Sequence, residues 1–214
     1  MGEIGKMQTV VVGGQARKVG KTSVVAGLIR GLRGFGWTAV KITQHHQDLS
    51  MVRGGDFSEG KGFVITEEQA ATARGDTRRY LAAGARRALW MQVRPGSLAE
   101  ALPALFTALE GDSFVMFEST SILEFLDPEI FLMVFDARVR AFKSSARKYL
   151  RRADALVSIG SLGSCGGPAL GGSSMRAKPV FPVARPGDSS PDLCRFVRRK
   201  LHLPATASRA ASGA

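Results

Sequence analysis

The chain has 214 residues, 44% of them hydrophobic and 22% charged, with a formal net charge of +12. That length can bury the core of one α/β domain, and the composition is that of an ordinary globular protein rather than a fibrous or disordered one. No run of eighteen apolar residues exists, which excludes a membrane-spanning helix. The two cysteines, Cys165 and Cys194, stand far apart without a CxxC, which argues against a disulfide framework and a structural zinc site.

Residues 9–12 are a short β-branched run that stops at Gly13 and Gly14, the pattern of a buried strand. Residues 21–32 place Val24, Val25, Leu28, Ile29 and Leu32 on one helical face, and Gly34 and Gly36 close that helix before a second strand at 38–42. Strand, glycine turn, helix and strand in this succession make a βαβ unit. Residues 44–75 are rich in Gly, Asp, Glu, Ser and Gln and hold no sustained period. They read as one long mobile loop at the ligand edge, ordered by a bound triphosphate.

Helices are expected over 77–83, 97–110, 121–126, 144–152 and 191–201, the second opened by Ser97 with Glu100 at capping-box spacing. Strands are expected over 88–93, 114–117, 130–135, 155–159 and 179–183. Residues 160–175 read as a flexible loop, and 204–214 as a disordered tail without core-forming content. Continuous apolar strands alternating with helices mean a mostly parallel sheet covered on both faces, a three-layer α/β fold with residues 1–203 as a single domain. The N-terminus lacks the long apolar segment and cleavage site of a secretory signal, so the expected location is cytoplasmic.

The strongest chemistry lies between the first strand and the first helix, in GGQARKVGKTS. Backbone N–H groups of such a loop and of the helix N-terminus point into one concavity and bind phosphate. Gly14, Gln15, Ala16, Arg17, Lys18, Val19, Gly20, Lys21, Thr22 and Ser23 are the expected phosphate-binding residues. Lys21 faces the β- and γ-phosphates, and the Thr22 hydroxyl is placed for Mg²⁺. The implied ligand is a nucleoside triphosphate, GTP or ATP, in a P-loop NTPase fold. The spacing departs from the common motif, because Gln15 stands where its first glycine belongs and five residues separate Gly14 from Gly20.

A magnesium site needs a carboxylate at the C-terminal end of a parallel strand. Glu118 ends the run FVMF and is the first candidate, with Asp136 in reserve at the end of the next apolar strand. Lys41 closes the second strand and leads to His45, His46 and Asp48. The adjacent histidines diverge on an extended chain, so phosphate or substrate contacts suit them better than metal ligation. The candidate catalytic residues are Lys21, Lys41 and Glu118. The arginines, Arg78, Arg79, Arg86, Arg87, Arg147, Arg151, Arg152, Arg198 and Arg199 among them, are spread over helical patterns. A basic nucleic-acid-associated switch is therefore supported by charge alone, and nucleic acid is not an expected partner.

Lys41, Thr43, His45 and His46 after the second strand, followed by Asp76, Thr77, Arg79, Ala83, Gly84 and Ala85, make the chain similar to the molybdopterin-guanine dinucleotide biosynthesis adaptor proteins. The resemblance covers residues 8–118. It implies a GTP-binding, weakly hydrolysing protein that assists nucleotide attachment to molybdopterin, as a homodimer and with a guanylyltransferase as partner protein. It also implies that Asp76 joins Thr22 and Glu118 around the metal or substrate. Ser119 departs from that family, which has Gly there, and residues 119–203 have no counterpart in it. SIGSLG stands where a GTPase would carry Asn-Lys-x-Asp. The five-residue loop spacing and Lys41 resemble dethiobiotin synthetase instead, which implies an ATP-dependent ligase as the second reading. Ile42 and Ser119-Thr120-Ser121 depart from that family in turn.

Overall fold

Strands too continuously apolar for one wet face must be covered on both, and the computed structural model of the chain shows them so. It describes residues 7–44, 62–68, 75–136, 138–139, 141–160, 178–184, 188 and 190–204. Eight strands form one sheet: β1 Gln8–Gly14, β2 Thr38–Gln44, β3 Phe63–Glu67, β4 Arg87–Val93, β5 Phe114–Glu118, β6 Ile130–Asp136, β7 Ala155–Ile159 and β8 Val180–Val183. Their spatial order is β3-β4-β2-β5-β1-β6-β7-β8, parallel throughout except for β3 against β4. Five α-helices are described: α1 Lys21–Gly31, α2 Gly75–Ala83, α3 Leu98–Ala108, α4 Ser144–Tyr149 and α5 Pro191–Lys200.

The alternation of side chains along each strand sorts the core into two layers. Val10 and Val12 of β1 face α1, α2 and α5, where Val25, Leu28, Ile29, Tyr80, Ala83, Phe196 and Val197 are buried. Val11 faces the other way, with Phe117 and Met133, onto Leu98, Leu102 and Leu105 of α3 and Tyr149 of α4. This is the three-layer α/β arrangement that the pattern of elements implies.

The structure departs from the sequence reading in four places. A strand, β3, lies inside the range read as one long loop, and its antiparallel pairing with β4 buries Val64. The expected helix at 121–126 is a single 3₁₀ turn, Ser121–Glu124, and the one at 144–152 ends in another, Leu150–Arg152. Ser97 precedes α3 without its side chain capping it, so the capping box does not form. His45, His46 and Asp48, most of the 160–175 loop and the tail from 205 lie outside the described residues.

Parallel strands end together, and that edge collects the functional groups. Gly14 of β1, Lys41 of β2, Glu118 of β5, Asp136 of β6 and Ile159 of β7 all lie at or near their strands' C-terminal ends. At the opposite edge, buried Asp112 accepts from Thr38 Oγ1 at 2.7 Å and pairs with both Arg86 and Arg87. Those two arginines neutralise a buried carboxylate and are no part of a free basic face.

Candidate nucleotide site

The loop that joins β1 to α1 turns tightly enough to require left-handed backbone at two residues, Lys18 (φ 58°) and Gly20 (φ 92°). Glycine takes that conformation without strain; a lysine does not, and Lys18 is held there by the loop around it. Gly14 is needed for closeness instead. A Cβ there would lie 2.8 Å from Val19 Cγ2 and 2.9 Å from the Lys21 stem, so any side chain would push the lysine out of place. Helix α1 carries no acidic residue in its first turn, which leaves its N-terminal N–H groups to an anion.

A cleft of about 650 Å³ opens above this loop. Arg17, Lys18, Val19, Gly20, Lys21, Thr22 and Ser23 line it. Gly14, Gln15 and Ala16 lie behind that wall. The Gly14 N–H donates to Thr120 Oγ1 at 3.1 Å, and the Gln15 N–H to the Val134 carbonyl at 3.0 Å. Among the described residues the Lys21 ammonium holds only a long contact, 3.4 Å, to the Ala16 carbonyl. Burial, above all, keeps its pKa below the ordinary 10.5, with Lys143 and Lys41 adding to the effect and Glu118 opposing it.

Glu118 is a buried carboxylate at the mouth of the loop. In register it lies between Val12 of β1 and Lys41 of β2. Its Oε2 accepts from Thr22 Oγ1 at 2.7 Å and from the Tyr80 hydroxyl, and its Oε1 is 3.7 Å from Lys41 Nζ. Burial and the neighbouring Glu118 charge push the Tyr80 phenol well above its ordinary pKa, so it stays a donor. The donor set fits Mg²⁺: hydroxyl and carboxylate oxygens side by side at the mouth of a phosphate loop suit a hard cation. Among the described residues no group of three or more His, Cys, Asp or Glu could hold a metal. The cation would need oxygens from the nucleotide as well, which is the usual habit of Mg²⁺.

Asp76 stands in the same cleft. Its carboxylate pairs with Lys41, whose ammonium therefore sits between Asp76 and Glu118. Arg79, one turn along α2, donates to Ser23 Oγ at 2.8 Å and ties that helix to α1. Asp136 is taken up by Arg138, which donates to it from Nε at 2.9 Å and from a terminal nitrogen at 2.7 Å. Those bonds lower the Asp136 pKa and leave Glu118 as the carboxylate beside the loop.

Sequence reasoning did not find Tyr80, Thr120 or Lys143. The phenol is buried on α2 and looks like core until that helix is docked and its hydroxyl meets Glu118. Phenylalanine at Tyr80 is expected to keep the packing and free Glu118 to turn. The half-saturating Mg²⁺ concentration for triphosphate binding should rise about tenfold, while binding without Mg²⁺ stays level. An unchanged Mg²⁺ titration would make Tyr80 a packing residue only.

No family model matches the chain, and no curated protein matches it in sequence. Solved structures do match. HypB from Helicobacter pylori, in complex with nickel, aligns over 94% of this chain and 91% of its own length, with a TM-score of 0.53 at 14% identity. The fold is that of a P-loop NTPase. LpxK from Aquifex aeolicus, in complex with ATP, aligns over 83% of this chain with a TM-score of 0.49 at 17% identity. The chain covers 54% of LpxK, about half that protein's length. A zinc-bound triple mutant of the YjiA GTPase aligns over 88% of this chain and 61% of its own, with a TM-score of 0.45 at 13% identity. Identities this low speak for the fold, so what the P-loop protein binds is argued from its own residues.

Proposed function

We propose that this chain binds a nucleoside triphosphate with Mg²⁺ at its phosphate loop, hydrolyses it slowly, and serves as an adaptor in molybdenum-cofactor assembly. The observation that carries the first part is the meeting of Thr22, Glu118 and Lys21 at one cleft, a hydroxyl–carboxylate pair beside an underpartnered ammonium. Thr22 and Glu118 would hold the Mg²⁺, which would supply charge neutralisation at the β- and γ-phosphate oxygens. Lys21 binds the same oxygens, and the α1 N-terminus and loop N–H groups orient them.

In hydrolysis, water forms the new bond to the γ-phosphorus and the bond to the β,γ-bridging oxygen breaks. Nucleoside diphosphate and inorganic phosphate leave, with a proton lost to solvent. Lys41, steadied by Asp76 and Glu118, is placed to favour the charge that develops. The adaptor role rests on the segment Asp76 to Ala85. It puts Asp76 and Arg79 in the cleft and Tyr80 on Glu118, so the stretch that carries the resemblance is the one that builds the site's far wall. GTP, a homodimer and a guanylyltransferase partner come with that resemblance.

Titrating ATP and GTP with and without Mg²⁺, while following bound ligand and released phosphate, tests the reading. Saturable Mg²⁺-dependent binding of one base over the other, with phosphate release slow against binding, is expected. Binding of neither nucleotide would end the proposal.

A further inference from the structure

Seven cations line the cleft, and among the described residues three of them have a counter-charge. Lys41 pairs with Asp76 and Glu118, Arg79 with Asp76, and Arg138 with Asp136. Among the described residues, Arg17, Lys18, Lys21 and Lys143 pair with no carboxylate, and Arg17 and Lys143 come to the cleft from opposite walls. Arg17 belongs to the phosphate loop, and Lys143 directly precedes α4 on the far side of β6. Like charges on flexible stems would turn apart into water unless the backbone beneath them were fixed.

Gln15 fixes it. This residue, standing where the common motif has glycine, is 4% exposed, and each of its polar groups has a partner. Its Nε2 donates to the Val139 carbonyl at 2.5 Å and the Ala141 carbonyl at 3.3 Å, and its Oε1 accepts from the Asp136 N–H at 2.9 Å. Its own carbonyl accepts from the Lys143 N–H at 2.8 Å. The segment after β6 is thereby tied to the loop, and Lys143 is carried to the cleft. Its ammonium has a lowered pKa, first through burial and then through Arg17, and its charge is also felt at Lys21. Arg17, Lys21 and Lys143 thus line one cleft, and among the described residues none of the three is in an ion pair.

We propose that Arg17 and Lys143, positioned by Gln15, form a clamp on the terminal phosphate of the bound nucleotide. The inference rests on the nucleotide reading above and adds to it a means of telling triphosphate from diphosphate. A γ-phosphate brings the negative charge that Arg17 and Lys143 lack, whereas a diphosphate is already served by Lys21 and the loop N–H groups.

Calorimetric titration of the full chain with Mg²⁺ and ADP, GDP, or the non-hydrolysable imido analogues of ATP and GTP tests it. Arg17→Ala and Lys143→Ala should each weaken the triphosphate analogue roughly 10- to 100-fold, the loss of one charge-assisted hydrogen bond. The diphosphate should change less than about threefold. Lys143→Arg should keep most of the discrimination. Both side chains reach solvent, so thermal melting should show all three variants folded. Equal losses for triphosphate and diphosphate, or no loss for either, would overturn the clamp while leaving nucleotide binding in place. A wild-type protein that binds no nucleotide removes the reading and the clamp together.

Discussion

Alanine at Lys21 is expected to abolish triphosphate binding while the fold stays intact. In the free protein the ammonium is desolvated, and its one hydrogen bond among the described residues is a 3.4 Å contact to the Ala16 carbonyl. An arriving polyphosphate replaces that weak partner with charged oxygens in a partly buried site, and removing one member of such a pair costs about 2–5 kcal/mol of binding. Tenfold per 1.4 kcal/mol then makes the loss roughly 30-fold at least and several thousandfold at most. Stability should move the other way. A lysine whose folded pKa lies below 10.5 opposes folding wherever it is charged, so its removal below that pH relieves a strain and the variant should melt at the same temperature or higher. The same linkage gives a second readout. Between the lowered pKa and 10.5, binding of triphosphate should take up a proton in the wild type and none at this position in the variant, measurable by titration in buffers of different ionisation enthalpy. Equal triphosphate affinity in the two proteins would sink the assignment of the loop.

The part of this site that was legible in the sequence is the local part. Strand, glycines, GKT and helix follow one another within β1 and α1, and their periods and turn residues are set by near neighbours. Glu118 was legible because an apolar run that ends in a carboxylate in a parallel sheet ends at the ligand edge. What could not be read depends on pairing across the chain. The run FVITE has the residues of a strand, but nothing around it shows that it turns back antiparallel along β4 to become the sheet's edge. Gln15 was visible as a departure from the motif. Its meaning lies at residues 136 to 143, 121 to 128 positions further on, where its side chain and carbonyl find their partners. Tyr80 is hidden for the same reason, since its phenol meets Glu118 only when α2 packs on α1 and on the β2–β4 side of the sheet. Charge misleads in the opposite sense: Arg86 and Arg87 add to the basic total, yet they answer Asp112 inside the protein.

Glutamine at Glu118 is expected to keep nucleotide binding, weaken its dependence on Mg²⁺ and slow phosphate release. The substitution keeps the shape that sits buried between β1 and β2 and removes the charge a hard cation prefers. It also breaks the arrangement of donors. Thr22 and Tyr80 both donate to one carboxylate oxygen, while the other faces Lys41 at 3.7 Å. An amide can offer only one oxygen, so if that oxygen stays with Thr22 and Tyr80, its NH₂ group points at the Lys41 ammonium. Lys41 then rests on Asp76 alone. The expected fall in Mg²⁺ affinity, measured in the presence of a non-hydrolysable triphosphate, is about 10- to 100-fold, the size seen when a metal site loses one supporting carboxylate. Binding of the triphosphate without Mg²⁺ should be unchanged or slightly tighter, because a negative charge has left the phosphate pocket. That opposite movement separates a lost metal ligand from a damaged fold, which would weaken both. If the Mg²⁺ titration does not move, Glu118 serves to hold Thr22 and Tyr80, and Asp76 becomes the carboxylate to replace next, since a cation that displaced Lys41 would find it within the same cleft.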